Sequence, residues 1–287
     1  MKITRKPDWL RKKIPAADQA AMRALLKDLS LHTVCQQALC PNIGECFSCG
    51  QATFLIMGAD CTRHCRFCNI DAVNTPKPLD PDEPRRIAEA TKRLNLSHLV
   101  ITSPTRDDLP DGGAGHYAAT VTAVRSCMPQ TRLELLIPDF NGDCAALATV
   151  LASHPAIIGH NVETVPRLYH IRAGAEYQRS LTVLADAQRL APEIPTKSGI
   201  MLGLGETEQE VLEVLTDLRK VGCSYLSIGQ YLAPSRRHEP VHEYIEPERF
   251  DAYGRIAREI GFSHVESGPY VRSSYHADRY QSGVADA

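Results

Sequence analysis

Apolar runs of strand length alternate with helical patterns along most of the chain. Six apolar runs are interpreted as strands, at residues 53–58, 97–103, 132–138, 156–163, 197–205 and 225–232. Five segments between them show the apolar spacing of helices, at residues 83–95, 114–127, 143–153, 175–190 and 207–221. Such alternation is typical of right-handed βαβ units around a parallel sheet that is covered on both faces. The pattern therefore predicts an α/β fold, either an open doubly wound sheet or an incomplete barrel.

The two ends of the chain do not continue this alternation. We interpret residues 51–261 as one core domain, with residues 1–50 and 262–287 as N-terminal and C-terminal extensions. Ligands of such folds bind at the carboxyl ends of the strands, where the loops converge. We therefore expect chemistry in the loop that follows the first strand.

Composition and charge narrow the possible partners. The chain has 287 residues, of which 43% are hydrophobic, and this is enough to bury a sizeable core. Its formal net charge of −2 provides no basic field for nucleic acid. No apolar run approaches the roughly 20 residues of a membrane span. We expect neither a nucleic acid nor a membrane as a partner.

The opening stretch, MKITRKPDWLRKKIP, is basic. Its six Lys and Arg residues are similar to those of a mitochondrial targeting signal, but Pro7, Asp8 and Pro15 interrupt a continuous amphipathic helix. We interpret the stretch as a surface segment that binds an acidic partner, or simply as a solvated arm.

Seven of the ten cysteines fall between residues 35 and 68. In a chain that is not secreted we expect reduced thiols, so the clustering indicates a metal or catalysis rather than disulfides. The stretch ADCTRHCRFCNI places Cys61, Cys65 and Cys68 at the spacing C-x3-C-x2-C. Three thiolates suit zinc, with His64 as a fourth ligand, or three irons of a four-iron cluster whose fourth iron stays open to another ligand.

A second cysteine trio precedes the first. Cys35, Cys40 and Cys46 have the spacing C-x4-C-x5-C in VCQQALCPNIGECFSCG. The alternatives are a closed structural site that Cys49 completes locally, and a site whose fourth ligand comes from elsewhere in the chain.

The C-x3-C-x2-C motif, with the aromatic Phe67 before its third cysteine, resembles that of the radical S-adenosylmethionine (radical SAM) superfamily. The resemblance implies that Cys61, Cys65 and Cys68 hold a [4Fe-4S] cluster whose open iron chelates S-adenosylmethionine. Phe67 is expected beside this cofactor. Of the two folds above, the resemblance favours the incomplete barrel, a partial (β/α)6 TIM-type barrel with two terminal extensions.

Other candidate residues follow the predicted strands. GIMLGLGE is similar to the nucleoside-binding strand of the superfamily, which implies cofactor contacts for Gly199, Gly203 and Glu206. Glycines in strands also mark bulges or close packing, so this pattern alone is not specific. Asn161 and Glu163 stand at the carboxyl end of the fourth predicted strand and are expected to bind the cofactor.

The loop RDDLPDGGA after the second strand adds Arg106, Asp107 and Asp111 as candidates for lining the site. The alternative for each is a role in loop structure, because Asp-Gly is a common turn and Arg106 has acidic neighbours. Lys197 lies at the amino end of its strand, which is the opposite edge of the sheet.

The paired trios resemble the lipoyl synthase family. The likeness extends over about residues 30–280 and includes PLDPDEP, RDDLPDGGA, GHNVETVPRLY, KSGIMLGLGE, IGQYLAPS and SGPYVRSSYHA. In this family the second cluster takes its fourth ligand from the serine before the tyrosine of RSSY, which corresponds to Ser274. A hydroxyl ligand binds iron less strongly than a thiolate, so it is expected to leave readily. Arg272 is a candidate to balance the charge of that cluster, whereas Tyr275 and His276 have no assigned role.

The resemblance also implies an activity. The chain is expected to insert two sulfur atoms at carbons 6 and 8 of a protein-bound octanoyl group, using two [4Fe-4S] clusters and S-adenosylmethionine. Expected partners are octanoylated lipoyl-carrier domains (dehydrogenase E2 subunits or the glycine-cleavage H protein), a reductant such as ferredoxin or flavodoxin, and a cluster-repair protein. The expected location is the bacterial cytoplasm, or an organelle if the source is eukaryotic.

Two other classes of protein are alternatives. One is another radical enzyme, either a sulfur inserter similar to biotin synthase or an RNA-methylthiolating enzyme, although the chain lacks the positive charge that RNA binding requires. The other is an interaction module built around zinc, which iron analysis distinguishes from an iron–sulfur protein.

Overall fold

The six predicted strands lie side by side in one parallel sheet in the computed structural model, which describes residues 5–11, 19–275 and 277. The strands are β1 (His32–Thr33), β2 (Thr53–Leu55), β3 (Asp60–Cys61), β4 (Asp71–Ala72), β5 (His98–Thr102), β6 (Arg132–Leu136), β7 (Ile157–Gly159), β8 (Thr196–Leu202), β9 (Tyr225–Gln230) and β10 (His264–Gly268). The main sheet has the order β1-β2-β5-β6-β7-β8-β9-β10, and β3 pairs with β4 separately. Within the main sheet, β1 pairs antiparallel with β2 and the other neighbours are parallel.

The five predicted helices are also present. The helices of the described residues are α1 (Ala20–Asp28), α2 (Val34–Gln37), α3 (Ile43–Ser48), α4 (Glu83–Arg93), α5 (Ala114–Cys127), α6 (Cys144–Leu151), α7 (Tyr177–Leu190), α8 (Glu208–Lys220) and α9 (Pro247–Glu259). Local sequence explains several helix starts. Thr207 and Glu210 form a reciprocal capping box at the start of α8, and the Asp143 carboxylate accepts backbone amides at the start of α6.

The strand order distinguishes the two predicted folds. From β2 to β10 the parallel strands follow one another across the sheet in chain order, whereas a doubly wound sheet reverses its order at a switch point. The edge strands β1 and β10 do not pair with each other, so the sheet stays open. The fold is therefore a partial barrel of the TIM type, as predicted. Every residue of β9 is buried, which agrees with a strand covered on both faces.

The terminal extensions contribute to the same sheet. β1 extends it at one edge, and β10, which begins after residue 261, extends it at the other. The described part of the basic N-terminal stretch packs against the chain, because Leu10 is fully buried and the Tyr270 hydroxyl donates to the carbonyl of Trp9 (3.3 Å). In residues 5–11 the stretch is therefore not a solvated arm. Among the described helices, none combines the length and the apolar character needed to cross a membrane.

Candidate active site

The first cysteine cluster lies in the loop that follows β2, at the carboxyl edge of the sheet. Met57 and Gly58 adopt left-handed backbone conformations (φ +66° and +80°) and turn the chain out of the strand. The loop includes the short β3–β4 pair, which contains Cys61. The amide of Cys68 donates to the carbonyl of Cys65 (3.1 Å), so the loop is also held by its own backbone. The first cysteine cluster therefore lies at the carboxyl edge of the sheet, as the strand pattern predicts.

The thiols of this cluster are close enough to affect one another. Burial raises the pKa of Cys65 to about 12, and negative charge on Cys68 adds to the effect. Burial raises the pKa of Cys68 to about 11, although the amide of Ile70 donates a hydrogen bond to its sulfur (3.5 Å). Phe67 is partly buried against the apolar core. Together with Cys61, these neighbouring thiols form a soft donor set that a metal centre stabilises as thiolates, so their chemistry fits three irons of a cluster.

Arg63 holds this loop to the ends of two neighbouring strands. Its guanidinium donates two hydrogen bonds to Asp107 (2.7 and 2.9 Å), two to Asp139 (2.7 and 3.0 Å) and one to Asn141 (2.8 Å). The Arg63 side chain is 7% exposed and that of Asp139 is fully buried. Burial alone raises the pKa of Asp139, but the hydrogen bonds and charge of Arg63 outweigh it and lower this pKa to about 2. Sequence reasoning missed Arg63 because the motif does not reveal which of its basic residues is buried.

The second cysteine cluster lines a pocket of about 550 Å³, including its open mouth, beside β2 and β5. Cys35 is buried in α2, and Cys40 and Cys46 line the same pocket from the segment that follows. Burial raises the pKa of Cys35 to about 11, although hydrogen bonding by Thr53 opposes this. Ser274, from the other end of the chain, also lines the pocket.

A hydroxyl and a cation complete this pocket. The Thr53 hydroxyl donates to Oγ of Ser274 (2.6 Å), which holds that side chain next to the cysteines. Arg272 lines the pocket as well; burial lowers its pKa, and negative charge on Cys40 opposes this. Three thiols, one hydroxyl and one cation are a suitable donor set and charge balance for an anionic iron–sulfur cluster. The residues therefore fit such a cluster.

Besides the Tyr270–Trp9 contact, two hydrogen bonds hold the C-terminal segment against the N-terminal extension. Nδ2 of Asn42 donates to the carbonyl of Tyr270 (2.7 Å), and the Tyr275 hydroxyl donates to the carboxylate of Glu45 (3.2 Å). These contacts bring the predicted serine ligand to the second cluster. His276, from the same motif, lies outside the described residues.

Cys49 and His64 have exposed side chains. Cys49 follows α3 and is not among the residues that line the second pocket. His64 is in the first loop, and its side chain is exposed to solvent. Across residues 5–11, 19–275 and 277, no three His, Cys, Asp or Glu side chains are placed to hold a single ion. This applies to both cysteine trios, so it does not separate the zinc alternatives from iron–sulfur clusters.

Asn161 connects the surroundings of the two clusters. Its Nδ2 donates to Oε1 of Glu163 (3.0 Å) and to Oγ of Ser273 (2.6 Å), the neighbour of Ser274. Glu163 has a left-handed backbone (φ +65°) and bridges to β8. Burial raises its pKa. The negative charge of its carboxylate also raises the pKa of Cys65, although burial of that thiol has the larger effect.

The glycine motif on β8 has two separate functions in the structure. A Cβ atom at Gly199 would lie 2.9 Å from Oδ1 of Asn161 and 2.8 Å from Oγ of Ser227, so only glycine leaves room for both. Gly203 has a left-handed backbone (φ +98°). The Glu206 carboxylate accepts the amides of Gly203 (2.5 Å) and of the next residue (2.9 Å). Gly199 therefore shapes the site, whereas Gly203 and Glu206 stabilise the turn after β8.

Three further candidates contact protein groups. Arg106 is almost fully buried and donates to Asp108 (2.8 Å) and to the carbonyl of Met57 (3.2 Å), so it holds the base of the first loop. The Asp111 carboxylate accepts two backbone amides at the start of α5 (2.9 and 2.8 Å). Lys197 is buried against a glutamate on β6, with 2.8 Å between Nζ and Oε1 of that Glu134. Arg106 and Asp111 thus have the loop-structural roles given as their alternatives.

Arg172 is a cation near the first cluster that motif analysis did not find. Its guanidinium donates to the hydroxyls of Tyr169 (2.7 Å) and Ser180 (3.0 Å). Its positive charge opposes the effect of burial on the pKa of Cys65, and it adds to burial in lowering the pKa of His160 to about 4. Arg172 follows a 3₁₀ helix rather than a strand, and no spacing pattern marks it.

Comparisons with known proteins agree with this geometry. Residues 55–218, more than half of the chain, match the profile of the Radical SAM superfamily. The fold is similar to that of methylornithine synthase (PylB), with a TM-score of 0.56 over 92% of this chain and 88% of that one. The identity of that pair is 13%, so the similarity concerns the fold alone. The fold and the matched segment define a radical SAM enzyme.

Relatives with much higher identity narrow this class. The chain is 69% identical over 280 residues to a lipoyl synthase of Trichlorobacter lovleyi, covering 98% of this chain and 100% of that protein. It is 67% identical to a lipoyl synthase of Geobacter metallireducens, with coverage of 98% and 99%. A lipoyl synthase of Caldanaerobacter subterraneus is 55% identical over 96% of both chains. The chain belongs to the lipoyl synthase family.

Proposed function

We propose that this chain binds two iron–sulfur clusters in separate sites and uses both to attach sulfur to a protein-bound octanoyl chain. The observation that carries the proposal is the pocket shared by Cys35, Cys40, Cys46 and Ser274. A closed structural site has no need of a hydroxyl from the opposite end of the chain. The activity of the family is insertion of two sulfur atoms, at carbons 6 and 8, and it requires a sulfur source near a radical site. The arrangement supports both requirements.

The first site binds and orients the radical-forming cofactors. The C–H bonds of an octanoyl chain have no acidic proton, so acid–base groups cannot break them. The loaded sites would instead supply a 5′-deoxyadenosyl radical from S-adenosylmethionine and sulfide for insertion. Cys61, Cys65 and Cys68 would hold the first cluster, which would bind S-adenosylmethionine when loaded. Arg63 keeps their loop in place through its bonds to Asp107 and Asp139.

The second site holds its cluster with one weak ligand. Ser274 supplies a hydroxyl where the other ligands are thiolates, and a hydroxyl binds iron less strongly. Thr53 positions that hydroxyl through a 2.6 Å hydrogen bond. Arg272 balances negative charge in the pocket. This combination suits a cluster that must give up sulfide.

The residues around β7 and β8 position the cofactor. We assign Asn161 and Glu163 to contacts with S-adenosylmethionine, because they lie between the two clusters and Gly199 leaves space beside them. Gly203 and Glu206 contribute by holding the turn after β8. Phe67 is assigned a contact with the cofactor beside Cys68.

The proposal extends to organisation and partners. We divide the chain into an extension with the second cluster's cysteines (1–50), a radical SAM partial barrel (51–261) and a C-terminal extension with the serine ligand (262–287). Members of this family act on octanoylated lipoyl-carrier proteins. For this chain we propose dehydrogenase E2 subunits or the glycine-cleavage H protein as carriers, ferredoxin or flavodoxin as reductant, and a cluster-repair protein. Bacterial relatives support action in the cytoplasm.

Iron analysis tests the two-cluster assignment. Protein reconstituted without oxygen should contain about eight irons, and a variant with alanine at Cys35, Cys40 and Cys46 about four. That variant should still cleave S-adenosylmethionine but form no lipoyl product. Cys49→Ala is the matched control and should retain about eight irons, because Cys49 lies outside the pocket.

Two results contradict the assignment. Equal iron content in the wild type and the triple variant removes the second cluster as a sulfur donor. Zinc in place of iron at both sites would exclude radical chemistry and would favour the alternative of an interaction module built around zinc.

A further inference from the structure

The loop after β9 lies directly on the first cysteine loop. The amide of Glu239 donates to the carbonyl of Arg66 (2.8 Å), and the two side chains form an ion pair (3.0 Å). The Tyr231 hydroxyl donates to the carbonyl of Glu239 (2.7 Å), so the loop is also held to the end of its own strand. These bonds fix the loop backbone beside Arg66, which lies between Cys65 and Cys68 in the motif.

This loop presents two arginines to solvent. Arg236 and Arg237 are exposed, and within the described part of the chain neither side chain makes a hydrogen bond or an ion pair. Their turn is ordered by Ser235, whose Oγ accepts the amide of Arg237 (3.2 Å) and contacts Nδ1 of His238 (2.9 Å). The Arg66 side chain, which pairs with Glu239 of the same loop, is 60% exposed. We name Arg66, Arg236 and Arg237 the arginine patch.

We propose that the arginine patch is the docking surface for an acidic one-electron donor protein of the flavodoxin or ferredoxin type. The inference rests on the proposed function, because that function requires one electron for the first cluster in each cycle. The donor is oxidised by one electron, the cluster is reduced by one electron, and no proton or leaving group moves in this step. Two exposed cations on a fixed loop, without side-chain partners among the described residues, favour an acidic partner through charge complementarity, which mainly accelerates association.

The position of the patch favours an electron donor over the acyl carrier. Electron transfer weakens steeply with distance, and Arg66 lies between two of the three cysteines of the first site. Arg66 is exposed and adjacent in sequence to Cys65, so a partner bound to this surface lies close to the first site. An acyl chain must instead reach both clusters, and the link between them runs through Asn161 on the β7 side and Ser273 in the C-terminal segment.

The test compares a protein donor with a small-molecule donor. The double variant Arg236→Glu/Arg237→Glu, loaded with clusters, is assayed for cleavage of S-adenosylmethionine with reduced flavodoxin and, separately, with dithionite. We expect the half-saturating flavodoxin concentration to rise about tenfold at low ionic strength, and the dithionite rate to stay unchanged. Calorimetric binding of oxidised flavodoxin should weaken by the same factor. Both differences should shrink as salt is added.

Arg255→Glu is the matched control, because Arg255 is an exposed arginine on α9 that likewise has no partner among the described residues. It should bind flavodoxin as the wild type does. The proposal is wrong if Arg255→Glu weakens binding equally, if dithionite-driven cleavage falls with flavodoxin-driven cleavage, or if the variant loses affinity for the octanoylated carrier instead. If the wild type does not cleave S-adenosylmethionine with dithionite, the proposed function is refuted. In that case the calorimetric comparison still shows whether the arginine patch binds flavodoxin.

Discussion

Replacing Arg63 tests how a buried ion pair holds the first cysteine loop. In Arg63→Met the buried carboxylate of Asp139 loses its two shortest charged hydrogen bonds. Removing one partner of a buried pair typically costs about 3–5 kcal/mol. Arg179 still approaches Asp139 (3.3 Å), so we expect the lower end, about 3 kcal/mol. The exposed arginine of the same loop provides the comparison, because Arg66→Met removes one surface ion pair and should cost about 0–1 kcal/mol.

The assay is urea unfolding of protein prepared without oxygen, combined with iron content. Arg63→Met should lose iron from the first site before the second, because the freed loop no longer keeps its thiols together. Adding Asp139→Asn should recover about 1.5 kcal/mol, since the uncompensated charge is then removed. Equal losses in Arg63→Met and Arg66→Met, or additive losses in the double variant, refute this account of the loop.

Three further predictions concern pH and the two sites. Burial lowers the pKa of His160 to about 4 from its ordinary 6.5. As the pH falls, the unfolded chain therefore binds a proton before the folded chain does. The contribution of this residue to stability is complete above pH 6.5 and is lost as the pH falls towards 4. Between pH 7 and 5.5 urea titrations should show a loss of about 1 kcal/mol that is absent in His160→Gln; equal losses in both proteins contradict this. Gly199→Ala places a methyl group against Asn161. It should raise the KM for S-adenosylmethionine about tenfold, which corresponds to about 1.4 kcal/mol of binding free energy. An unchanged KM would exclude this site from cofactor binding. Thr53→Val removes the hydrogen bond to Ser274, so a chelator should extract iron from the second cluster faster than from wild type while the first cluster is retained. Equal extraction rates show that Thr53 does not position this ligand.

Local patterns predicted most of the elements. The six strands and five helices of the barrel follow from apolar periodicity, because each buries a continuous face. β10 was not predicted, since Val265 is its single buried residue and an edge strand of this kind has no apolar run. α9 was also not predicted, although Pro247 marks its first turn and its last part packs Ala257 into the core. The first cysteine loop was located correctly because its three cysteines are close in sequence and directly follow a predicted strand.

The sequence by itself determined the features that depend on residues close together along the chain. These are the alternation of strands and helices and the spacing of each cysteine trio. The family resemblance implied the partial barrel and the pairing of Ser274 with the second cysteine trio. The tertiary structure shows both, and it alone revealed that Arg63 is buried between two carboxylates. These features depend on contacts between residues far apart in the chain. Such contacts form only when the sheet is assembled and the two terminal segments pack against each other, and no periodicity or spacing in the sequence records them.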